Sequence, residues 1–158
     1  MKKVAFVAVV AAVVVFSAAF AATFFFEIRG ASNSRASEGR QGRTTVHLDG
    51  RPLSVSIADT PSAREVGLGG REALAPDEGM LFVFPEDDTY GFWMRGMRFS
   101  IDIIWLSGEG VVVNMKQNVS PATYPHVFEP SAPARYVLEL PAGYAERYTV
   151  HLGSKLRL

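Results

Sequence analysis

Two carboxylates sit where a carboxylate is hardest to keep. Asp102 lies within Ile101, Ile103, Ile104, Trp105 and Leu106, and Glu139 lies within Val137, Leu138 and Leu140. A strand that is apolar on both faces is a buried strand, and a buried carboxylate without a partner is expensive. Each acid therefore needs a hydrogen-bonded or cationic partner, and Arg71, Arg95, Arg98 and Arg135 are the candidates. Two roles are open to them. A structural ion pair would fix strand register, which is the commoner fate of such groups. A pair of acids facing one cleft would instead do acid–base work, and hydrolysis of a glycosidic bond needs the carboxyl groups roughly 5–9.5 Å apart.

Other side chains offer weaker chemistry. Met80, Met94, Met97 and Met115 fall in or beside expected strands, and thioether sulfur, with His47, His126 or His151, is a ligand set for copper(I). No Met-x-Met or His-x-His spacing supports that set, so gap-filling in the core is the reading adopted and no metal is expected. Phe82, Phe84, Phe92, Trp93, Phe99 and Trp105 are residues for a sugar-binding or apolar site, although a small β core is built from the same types. Within Tyr90–Arg95, alternation puts Phe92 and Met94 on one face and Trp93 and Arg95 on the other. There is no nucleophile elbow, phosphate-binding glycine loop, zinc-protease helix motif or dinucleotide fingerprint, so no cofactor is expected. With no cysteine, disulfides and thiolate chemistry are excluded.

The elements that must position these residues are mostly strands. Residues 44–58 alternate around Asp49-Gly50 and read as a hairpin with a tight turn of positive φ. Thr60-Pro61 opens a short helix that Gly67, Gly69 and Gly70 stop. Gly79–Phe84 reads as a strand ended by Pro85, and Tyr90–Met94 as another. Ile101–Leu106 and Val111–Lys116 form a second hairpin around Ser107-Gly108-Glu109-Gly110. A proline-rich loop leads to the strand Arg135–Leu140, a helical turn near 142–147, and two small closing strands. The fold class expected is mainly β, a small barrel-like or sandwich-like domain with one or two short helices.

Before that domain stands a different kind of sequence. Val4–Phe26 contains no charge, is preceded by Lys2 and Lys3, and is long enough to cross a bilayer as a helix, which takes about 20 apolar residues. A cleaved secretory signal has a shorter apolar core, roughly 7–15 residues, so an uncleaved anchor over 1–26 is favoured over a removed signal. Lys2 and Lys3 keep the N-terminus in the cytoplasm and place the rest outside, in the periplasm or at the cell exterior. Residues 27–42, rich in Ser, Gly, Ala and Arg, read as a flexible tether. From Arg43 onward 11 Lys and Arg stand against 14 Asp and Glu, a net charge of −3, which gives nucleic acid nothing to hold.

In order and spacing, the motifs of residues 45–158 resemble the family called domain of unknown function 192. The pieces are the opening hairpin, Ala63–Leu68 with Arg71, Gly79–Phe82, Phe92–Arg95, Ile101–Ile104, and Val137–Leu140 before Ala142-Gly143. The resemblance implies a compact, barrel-like and often exported β domain with no established activity, substrate or cofactor. It marks Arg71, Trp93, Met94, Arg95, Asp102 and Glu139 as motif residues. This chain departs from the family pattern at Gly69, where a methionine is usual, at Gly96-Met97, where an Asn-Thr pair is usual, and at Ser154, where an acid is usual. The functional expectation is a membrane-tethered, extracytoplasmic, non-catalytic binding or accessory module for a small molecule or envelope ligand. Its candidate polar site is Arg71, Trp93, Arg95, Asp102 and Glu139. The alternative is a hydrolase of envelope carbohydrate using Asp102 and Glu139.

Overall fold

The structure is a computed structural model that describes residues 42–158; the expected anchor and all but the last residue of the expected tether lie outside the described residues. Among the described residues no helix is long and apolar enough to cross a membrane. β1 (Arg43–Leu48) and β2 (Arg51–Ala58) form the first hairpin, with Asp49 and Gly50 both at positive φ, as a two-residue turn of this twist requires. Its inward residues Val46, Leu48, Leu53 and Val55 are buried. The helix α1 (Pro61–Val66) follows, its first turn capped by the Thr60 hydroxyl, which accepts the Ala63 amide at 3.2 Å.

Next comes β3 (Glu78–Asp88), which pairs parallel to β2, so α1 and the loop after it form a crossover. Pro85 does not end this strand as expected. The ladder to β6 is irregular between Val83 and Asp88, and a proline is tolerated where pairing lapses. Tyr90–Met94 does not form a strand either; one two-way bridge joins Phe92 to Phe128, with N–O distances of 2.8 and 2.7 Å. The second hairpin is β4 (Ile101–Leu106) and β5 (Val112–Val119). β6 (Ala134–Pro141) inserts between β3 and β4, antiparallel to both. After α2 (Tyr144–Arg147) the expected pair of closing strands reduces to one, β7 (Leu156–Arg157), because the chain before it turns twice, with Thr149 and Gly153 at positive φ.

The result is one curled seven-stranded sheet in the order β5-β4-β6-β3-β2-β1-β7. Its two edges meet at one end. Val112 donates to Ser154 O and accepts from Gly153, and Leu156 donates to Gly110 O at 2.8 Å. Gly110 is required there: its φ is +73°, and a Cβ would stand 2.5 Å from the Leu156 carbonyl.

Both faces of the sheet are covered, which is why β4 is buried along its whole length. Leu81, Ile104, Leu106, Leu138 and Leu140 pack inside the curl with the first hairpin and α2. Met80, Phe82, Ile103, Trp105 and Val137 pack on the other face, under Leu68, Phe92 and Met94. Met80, Met94, Met97 and Met115 are thus core or core-edge side chains.

Candidate functional site

The two acids that stand out in the sequence face opposite ways. Asp102 is opposite Leu140 and Glu139 is opposite Ile103, so the sheet itself separates them. They do not form a pair across a cleft, and the arginines expected to hold them are engaged elsewhere or apart. Arg135 binds Asp87 at 2.6 Å, and Arg98 pairs with Glu72. Asp102 is held by backbone amides instead. Its Oδ1 accepts from Asn118 at 2.8 Å and Gly143 at 3.2 Å, and its Oδ2 accepts from Ala145 at 2.8 Å. This carboxylate ties β5 and the start of α2 to β4, and it is structural.

Glu139 is the opposite case. It is 4% exposed, and its Oε2 has no hydrogen-bond partner. Its neighbours across the ladders are Met80 and Ile103, which offer no polar atom in their side chains. Burial alone pushes its carboxyl from the ordinary 4.5 up to about 8, so at neutral pH it is a protonated acid, able to donate as well as accept.

Glu139 opens onto a pocket of about 270 Å³. The wall is aromatic: Phe82 and Phe84 from β3, and Tyr90, Phe92 and Trp93 from the following loop. Trp105, on the floor-side face of β4, fixes that loop by donating its Nε1–H to Tyr90 O at 2.9 Å. Phe92 meets Phe82 edge-on at 4.8 Å, and Tyr90 stacks on Phe84 at 3.6 Å. Gly91 allows the close approach of this loop to Val127, whose Cγ1 would lie 2.6 Å from a Cβ. The other wall is α1 and the turn after it, with Arg64, Val66 and Leu68. Arg64 is fixed by the carbonyls of Asp59 and Val83, at 2.7 and 2.8 Å, and lies 5.0 Å over the Phe84 ring.

The mouth is apolar and cationic. Trp93 is 47% exposed, with Tyr124 beside it at 5.9 Å and the Arg95 guanidinium 5.8 Å over its ring. Val66 is a further exposed apolar side chain of the lining. Alternation had separated Phe92 and Met94 from Trp93 and Arg95, and they are so disposed, inward and outward.

Of the sequence candidates, Trp93, Arg95 and Glu139 share this pocket, while Asp102 and Arg71 do not. Arg71 stands near Glu78, whose carboxyl is held below its usual range mainly by a hydrogen bond from Arg43, with a smaller contribution from Arg71. Phe82, Phe84 and Phe92 join the site, and Phe99 does not line it. Arg64, Tyr90 and Met97 line it without having been singled out for it; the cue available for Tyr90 was its place at the head of the Tyr90–Trp93 aromatic run. Among the described residues no group of three or more His, Asp or Glu is placed to hold a metal.

Comparison with known proteins agrees with this architecture. A protein from Sinorhizobium meliloti 1021, provisionally described as a transcription regulator, is 34% identical; the match covers 74% of this chain and 94% of that one, with a TM-score of 0.70. A protein of unknown function from Novosphingobium aromaticivorans DSM 12444 is 28% identical, with coverage of 73% and 85% and a TM-score of 0.70. No curated protein matches the chain. The model of domain of unknown function 192, described as "Uncharacterized ACR", matches residues 44–158, and the chain belongs to that family.

Proposed function

We propose that the domain is a non-catalytic binding module carried on the outer face of a membrane, and that its ligand enters the aromatic pocket above Glu139. One observation carries the reading: Glu139, a buried acid with one carboxyl oxygen left without a partner, lines a cavity walled by aromatic rings. Such a group lowers stability wherever it is merely core, and its position at the floor of a concave, aromatic-walled site is what a ligand-binding group needs. Catalysis on the two acids first considered has no support, since they lie on opposite faces of the sheet. The acidic balance of the domain argues against nucleic acid as its ligand, so the transcription-regulator description of the Sinorhizobium relative is not carried over.

The membrane part of the reading rests on the uncharged run 4–26 behind Lys2 and Lys3. A reporter fused after Leu158 should be active outside the cytoplasm, and cytoplasmic activity would overturn it. For the pocket, the full-length protein is screened by thermal shift against small aromatic and aliphatic molecules. A stabilising compound at about 100 times its dissociation constant adds roughly 2.7 kcal/mol. The expected result is a shift that Trp93→Ala abolishes while the fold persists; shifts indifferent to Trp93 and Glu139 would remove the pocket from consideration.

A further inference from the structure

Resting on that pocket reading, we infer that the site selects a small organic acid: an apolar body against the aromatic wall, an inner oxygen function on the Glu139 carboxyl, and an anionic group at the mouth on Arg95. The floor sets the first requirement. Glu139 lines the pocket and its Oε2 has no partner in the fold, so the inner end of a ligand meets an acid with unused hydrogen-bonding capacity. A hydroxyl or carbonyl oxygen takes up that capacity against a neutral acid.

The mouth sets the second. Arg43, Arg98 and Arg135 each hold a carboxylate, in Glu78, Glu72 and Asp87, whereas Arg95 has no such partner among the described residues. Arg95 is exposed and oriented over Trp93. Arg64 adds a second guanidinium to the lining, and the opposing charge is Glu65, exposed on α1. Tyr90 is the remaining titratable group of the lining, while β3 and β4 set Met80 and Ile103 beside Glu139. An aromatic pocket over a carboxyl group also suits an organic cation in principle. Here a cation meets one guanidinium at the mouth, a second in the wall and an un-ionised acid at the floor. An anion meets a charge-assisted, geometrically matched donor in Arg95.

The test uses the full-length protein in detergent, with the combined emission of Trp93 and Trp105 as the readout, and four matched compounds. These are 4-hydroxyphenylacetate, phenylacetate (no inner oxygen), 4-ethylphenol (no charge) and 4-hydroxyphenethylamine (a cation). 4-Hydroxyphenylacetate should bind roughly tenfold more tightly than either phenylacetate or 4-ethylphenol, about the worth of one hydrogen bond to a charged or buried group. Its advantage over 4-ethylphenol should vanish in Arg95→Gln. Glu139→Leu, which leaves no polar side-chain atom at the floor, should erase the advantage over phenylacetate. Preference for the amine, or binding of 4-ethylphenol as tight as that of the acid, overturns the organic-acid inference and leaves the pocket as a binding site. Silence from all four overturns both.

Discussion

Glu139 imposes a pH signature on the whole domain. Its folded carboxyl titrates near 8 and the unfolded one near 4.5, so between those values the unfolded chain has released a proton that the folded chain keeps. The native state therefore loses stability as pH rises from 4.5 to 8 and loses no more from this group beyond that, a change on the order of several kcal/mol. In Glu139→Gln the slope should disappear. Between pH 5 and pH 9 the melting point of the variant should gain several degrees on the parent, and parallel curves would mean that the carboxyl is hydrated in solution. Asp102 behaves differently because three backbone amides depend on it. Asp102→Asn turns an amide donor toward backbone donors and should lower stability by roughly 3 kcal/mol in chemical denaturation. Burial of both acids was legible from their apolar neighbours. The partners of Asp102 were not, because the amides of Asn118, Gly143 and Ala145 have no side-chain signature.

At the scale of elements, local chemistry was the readable part. Asp49-Gly50 named its turn, Thr60-Pro61 named the start of α1, and Ser107–Gly110 named the second hairpin turn. The segment Tyr90–Met94 misled because its alternation is real, but it arises from lying flat over the sheet, inward at Phe92 and Met94, rather than from pairing within it. Its seat depends on Gly91. Gly91→Ala drives a methyl group against Val127, a stiff β-branched neighbour, and should destabilise by about 1–3 kcal/mol while displacing Trp93. Adding Val127→Ala should restore most of the loss and the parental tryptophan emission. If the double variant is no better than the single one, the contact is not what holds the loop.

For the molecule as a whole, strand order was beyond the reach of residue patterns. Nothing local announces that β3 pairs parallel with β2, or that β6 returns to fill the gap between β3 and β4. These pairings are decided by which apolar faces can be covered at once. The meeting of the two sheet edges depends on Gly110, and Gly110→Ala should reduce stability by roughly 2–4 kcal/mol. Hydrogen exchange localises the effect: the amides of Val112 and Leu156 should lose protection first, while those of β6 keep theirs.

That junction also sets a timetable. Asp49 is held by Lys155, 106 positions further along, and β1 finds its outer neighbour in β7. Released from its N-terminal end, the chain therefore offers the first hairpin long before the strand that covers its outer edge. Until Leu156 has emerged the growing chain has an unfinished rim, and contacts this distant in sequence form slowly even afterwards. A chain that folds in this order keeps the outer edge of β1 unpaired until its last strand arrives, and an unpaired edge is where a foreign strand can add.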